Sequence, residues 1–139
     1  MGLRVVALLI AAAIGLSAQA AVITQKSTVG GVTVAATAGN LGPDTSVWDF
    51  AVALDSRDRA LRDDLVTSAV LVDPRGVKHK ALIWEGASGD GTHRAGVLKF
   101  IALEPRPEWV ELRIARPGEK KPRSFGWLLG NGLMAERDR

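Results

Sequence analysis

Trp48-Asp49-Phe50-Ala51-Val52-Ala53-Leu54-Asp55 alternates without a break: Trp48, Phe50, Val52 and Leu54 fall on one side of an extended chain, Asp49, Ala51, Ala53 and Asp55 on the other. A period of two belongs to a strand with one face in a core and the other toward solvent. The same reading extends in both directions. Upstream, Val32 to Thr37 alternates, and Val22 to Ser27 is an optional first edge strand. Downstream, Ala69 to Asp73 and Val77 to Trp84 flank Asp73-Pro74-Arg75-Gly76, where Pro in the second place and Gly in the fourth suit a type I turn and hence a hairpin. Arg94 to Ile101, Trp109 to Arg116 and Arg123 to Leu129 are three more strands, the last two joined through Pro117-Gly118, a pair suited to a type II turn.

Seven or eight short strands at roughly ten-residue spacing predict an all-β fold, an immunoglobulin-like antiparallel β-sandwich. Helix is nearly absent. Leu61 and Leu65, four apart in the charged stretch Arg57 to Leu65, suggest one turn crossing between the sheets. Trp48, Trp84, Trp109 and Trp127 each fall in a strand, and their burial would hold the two sheets together.

Residues 1–20 read as an export signal. Arg4 supplies the charged start, Val5 to Leu16 is an unbroken apolar run, and Ala18-Gln19-Ala20 fits the small-residue site of signal peptidase. The run is shorter than the roughly 20 residues of a membrane span, which argues against an uncleaved anchor. The expected organisation is therefore 1–20 signal peptide, 21–129 β-sandwich domain and 130–139 flexible C-terminal tail. That places the protein in the periplasm or outside the cell, with no integral membrane segment in the mature chain. There is no cysteine, which excludes a lipoprotein anchor and leaves the fold to rest on packing and sheet hydrogen bonds. The formal charge of +3 includes Arg4, so the mature chain carries +2, with both signs interspersed and no Lys/Arg stripe of the kind nucleic-acid binding requires.

No segment announces catalysis, and the expectation is that the protein is not an enzyme. Gly86-Ala87-Ser88-Gly89-Asp90 lacks the closing glycine of a nucleophile elbow. Gly89-Asp90-Gly91 and Gly130-Asn131-Gly132 are glycine pairs without a βαβ unit to bind phosphate. Asp63-Asp64 lies among mixed charges and reads as a solvated loop rather than an acid/base pair. His79 alternates with Val77 and Ala81 on its strand and reads as a partly exposed side chain.

The segment from Trp84 to Phe100 carries a longer pattern: Trp84-Glu85-Gly86, then a glycine-rich loop, then His93-Arg94-Ala95-Gly96-Val97-Leu98-Lys99-Phe100. This resembles a family of small exported bacterial β-sandwich proteins whose pattern runs W-E-G, then G-G-H-H-R-x-G-V-L-x-F, with D-T-H-S earlier at the end of a strand. The resemblance covers most of the mature chain. Asp55-Ser56-Arg57 falls on the D-T-H site, Asp64-Leu65 on an acidic D-L segment, and Arg123-Ser124-Phe125 on a late R-S-F. The family's three histidines on two loops imply a transition-metal site of the kind imidazoles form. Here Arg57 and Thr92 replace two of them, and only His93 remains.

Two functional readings follow. In the first, no cofactor is needed: the chain is a non-enzymatic exported binding module for an unidentified envelope protein or ligand. Its recognition surface is then the loop Glu85 to Arg94, with Glu85, Asp90, Thr92, His93 and Arg94, beside a charged segment with Asp55 and Arg57. In the second, His93, Asp90 and Glu85 hold a divalent metal as a weakened histidine-based site. In either, His93 and Arg94 are also candidates to pin the loop to Glu85 or to backbone carbonyls.

Overall fold

A computed structural model describes residues 24–86 and 91–129. The expected signal peptide, the segment from 130 onward and Asp90 lie outside the described residues. The described chain forms nine strands: β1 Thr24–Val29, β2 Val32–Ala38, β3 Val47–Ser56, β4 Ala69–Val72, β5 Lys78–Lys80, β6 Ile83–Gly86, β7 His93–Ile101, β8 Trp109–Ile114 and β9 Arg123–Leu128, with one helical turn, α1 Leu65–Ser68. Among the described residues no helix is long and apolar enough to cross a membrane.

All pairings are antiparallel, in sheets of order β1-β2-β3-β7-β6 and β5-β4-β8-β9. With β1 set aside, β2-β3-β7-β6 over β5-β4-β8-β9 is the A-B-E-D over C′-C-F-G order of the immunoglobulin fold. The β1–β2 turn is Gly30-Gly31, with φ of 58° and 80°. Positive φ at both central residues marks the mirror-image turn that suits the twist of a two-residue hairpin, and glycine adopts it without a steric penalty.

The alternation around Phe50 is reproduced: Trp48, Phe50, Val52 and Leu54 are buried and Ala51 and Asp55 exposed. Facing them from β7 are Leu98 and Phe100, and from the second sheet Leu71, Val110, Leu112, Ile114 and Phe125. Phe50 meets Phe100 edge to face at 5.7 Å and Trp127 of the opposite sheet at 5.1 Å, spacings typical of favourable ring pairs. Only Trp48 is fully buried. Trp84 and Trp127 are half-buried, and Trp109 is 37% exposed, so the tryptophans contribute to the core unequally.

Three expectations are refined. Val77 to Trp84 is not one strand in one sheet: β5 pairs with β4 and β6 with β7, and the chain changes sheets at Ala81-Leu82, the corner device of sandwiches. This, together with β1, brings the count to nine. The helical turn begins at Leu65, and Leu61 precedes it, buried in the connection between β3 and the turn. Asp64 caps that turn, its carboxylate accepting from Val66 N at 3.2 Å and Thr67 N at 3.3 Å. Asp63 is 6% exposed, not solvated.

The edges β1 and β9 lie side by side without a ladder, and two side chains bridge them. The Gln25 amide donates to Gly126 O and accepts from Gly126 N, as a backbone unit would. The Arg123 guanidinium donates to Ser27 O at 2.7 Å and Val29 O at 3.2 Å.

Candidate functional site

β3 ends and β7 begins at the same end of the first sheet, and Asp55 faces His93 across the pair. Their side chains hydrogen-bond, His93 Nδ1 to Asp55 Oδ1 at 2.5 Å, with 61% and 62% of each exposed. A polar contact this exposed contributes little to stability, so its interest is geometric. Just beyond it the two connecting segments are joined by main-chain hydrogen bonds, Ser56 N to Thr92 O at 2.8 Å and Leu61 N to Gly91 O at 2.9 Å. Segments 30 to 38 residues apart in sequence thus form one surface, on which Asp55, Arg57, Thr92 and His93 are exposed.

Arg94 belongs beneath that surface. It is 4% exposed, its Nη1 donates to Asp63 O at 2.7 Å and reaches Leu61 O at 3.5 Å, and its guanidinium lies over the Trp84 ring at 5.8 Å. The indole in turn lies against Gly86 and Gly96, which are cross-strand partners. A methyl group added to Gly96 would come within 2.5 Å of Glu85 O and 2.7 Å of Trp84, and one added to Gly86 within 2.6 Å of Gly96 Cα. The W-E-G and R-x-G portions of the pattern are therefore one packing unit: two glycines make room for an indole, and the arginine stacked on it fixes the β3–α1 connection through its carbonyls.

Glu85 stands apart. It pairs with Lys99 at 3.1 Å and lies opposite Val97, four residues along β7 from His93, about 13 Å at the usual strand rise. Neither the proposed Glu85 contact with His93 nor one with Arg94 is formed; the carbonyl contacts of Arg94 are. Among the described residues no three His, Cys, Asp or Glu side chains converge as a metal-binding group, and Asp90 lies outside them.

Behind the surface is a charge network that sequence reasoning missed, because Asp63 lies 53 residues from its bonded partner Arg116. Arg116 grips both oxygens of Asp63, at 2.7 and 3.0 Å, and donates to Glu119 at 3.1 Å. Glu119 also accepts two bonds from Arg123, at 2.8 and 2.7 Å. The Asp63 bonds raise the Arg116 pKa above its ordinary value, and the Arg123 bonds hold the Glu119 carboxyl below its own. The only signal in the sequence was Arg123-Ser124-Phe125, which carries the arginine without showing its partner.

At the opposite end, the half-buried His79 donates through Nε2 to Oδ2 of the buried Asp73 at 3.1 Å, and Asp73 Oδ1 accepts from Arg75 N and Val77 N. The His79 bond is the largest of the effects holding the Asp73 carboxyl low. This arrangement closes the β4–β5 hairpin and explains why His79 is ordered on its strand.

Fold and surface together define an immunoglobulin-like β-sandwich domain with one end built from interlocked loops. No protein-family model, curated protein sequence or solved structure matches the chain.

Proposed function

We propose that the chain is an exported, non-enzymatic binding module of a bacterial envelope, with Asp55, Arg57, Thr92 and His93 as its recognition surface. The observation that carries this reading is the pair of main-chain hydrogen bonds joining segments 55–61 and 91–93. A contact surface held in shape before its partner arrives loses less conformational entropy on binding. Arg94 serves it from below, and Glu85 lies outside it. Export rests on the leader pattern of residues 1–20.

The test is capture from an envelope fraction by cross-linking, comparing wild type, Arg57→Ala/His93→Ala, and Arg75→Ala/Lys78→Ala at the opposite end. The reading predicts a partner lost only in the first variant. A partner retained by it and lost in the second would move the recognition surface to the β4–β5 end.

The Asp55–His93 contact favours a second reading, in which a divalent metal is held by that imidazole and carboxylate. Titration of wild type and His93→Ala with Cu(II), Zn(II) and Ni(II) separates the two. Tight binding abolished by His93→Ala puts the metal reading first.

A further inference from the structure

On the flank of the same end, between the β3–α1 connection and the β8–β9 turn, is an open groove of about 760 Å³. Five cations line it, Arg59, Arg62, Arg116, Lys120 and Lys121, against two carboxylates, Asp63 and Glu119. Both carboxylates are committed inward: Asp63 gives both oxygens to Arg116, and Glu119 gives its two to Arg116 and Arg123. That buried network balances two guanidinium groups with two carboxylates, so it fixes the groove's floor and contributes no net charge. The groove's excess charge therefore comes from its walls. Arg59 stands on one wall and Lys120 and Lys121 on the other, all exposed and none in an ion pair with a described residue. Asp64, the nearest other acid in sequence to Asp63, is occupied as the cap of α1.

A concavity with cations of one sign on facing walls focuses potential and concentrates anions. Arginine forks and lysine point charges are the side chains that bind phosphate oxygens. Three exposed wall cations carry more charge than a single phosphate group, about −1.5 to −2 at neutral pH, which calls for more than one anionic group on the ligand. We propose that this groove binds a ligand carrying two or more phosphate groups. The proposal rests on the reading that this end of the sandwich is its binding end, and it adds the chemistry of a ligand at a second face of that end.

The experiment is calorimetric titration of the purified mature chain with inorganic triphosphate, with citrate as a non-phosphate polyanion and vesicles containing phosphatidic acid as a surface-borne phosphate. Lys120→Glu/Lys121→Glu is expected to weaken triphosphate or vesicle binding about tenfold or more. Lys78→Glu/Lys80→Glu, the same charge change on β5, is expected to leave it unaltered. Thermal melting of both variants at the wild-type temperature shows that the fold is intact. Binding of triphosphate alone assigns a soluble ligand, and binding of vesicles alone assigns a headgroup. Absence of binding to either, equal affinity for citrate, insensitivity to Lys120→Glu/Lys121→Glu, or equal loss in the β5 variant overturns the proposal. Partner capture through Asp55, Arg57 and His93 does not involve the groove lysines, so failure of the triphosphate experiment leaves that test standing, and the converse holds.

Discussion

Arg94 takes a permanent charge into a site that is 4% exposed, and among the described residues the face of Trp84 and the carbonyls of Leu61 and Asp63 help make this tolerable. Hydrogen bonds to a buried charged group, together with the packing of its stem, predict that Arg94→Ala costs about 2–4 kcal/mol in chemical denaturation. Gly96 tests the same unit from the other side. The atoms a side chain would meet there include backbone, which cannot swing away, so Gly96→Ala should cost about 1–3 kcal/mol as overpacking. A cost below about 0.5 kcal/mol would mean that the indole does not lie on the glycine pair. Part of this was legible in advance. The spacing W-E-G and R-x-G marked the residues, and an arginine bound to carbonyls was among the expectations, but the stacking was invisible because it joins two strands whose register no local pattern fixes. Asp63 was misread as solvated for a related reason. Its neighbours in sequence are charged and exposed, while its partner Arg116 arrives from the connection after β8.

The strands themselves were easier to read than their partners. The run from Trp48 to Asp55 has one buried side whichever sheet it joins, and Phe50→Ala should cost about 3–5 kcal/mol, as truncating a fully buried aromatic does. Denaturation showing less than about 1 kcal/mol would place that face outside the core. By contrast, Val77 to Trp84 looks the same whether it stays in one sheet or crosses to the other. The crossing at Ala81-Leu82 is fixed by pairing with β4 before it and β7 after it, which are tertiary facts. The connecting elements also carry a pH dependence. Asp73 in the β4–β5 hairpin is held below its ordinary 3.8 first by the His79 bond and then by backbone N–H groups, with burial opposing. Glu119 in the β8–β9 turn is held below 4.5 first by Arg123, again against burial. A carboxyl whose folded pKa is depressed stabilises the native state fully above its unfolded pKa, and that contribution disappears as pH falls through the folded value. Melting temperature should therefore be level from pH 7 to about 5 and fall below about pH 4.5, and Asp73→Asn/Glu119→Gln should fall less steeply from a lower start. Equal slopes for wild type and variant would remove these two groups from the account of acid lability.

At the scale of the molecule, two sheets pack face to face with no disulfide available to either. The side where the edges β1 and β9 meet is closed by Gln25 and Arg123 in place of a ladder, and the other side by a strand that changes sheets. The sandwich class follows from strand count and spacing, and the observed strand order agrees with it. The edge strand β1 was legible as the optional strand Val22 to Ser27, whereas the side-chain seam does not follow, since it depends on which edges come to lie together. The same closure brings the ends of β3 and β7 into one surface, and the binding proposal depends on that register. Asp55→His tests it directly. Directly opposed residues on an antiparallel pair have Cβ atoms about 4.5–5.5 Å apart, close enough for imidazoles at positions 55 and 93 to chelate one ion with Zn–N distances of about 2.0–2.1 Å. Calorimetry with Zn(II) or Ni(II) should show at least about tenfold tighter binding for Asp55→His than for wild type, worth about 1.4 kcal/mol, and His93→Ala in that background should abolish the gain. A folded Asp55→His protein with no gain, or with a gain that survives His93→Ala, would contradict the pairing of Asp55 with His93 and the surface built on it.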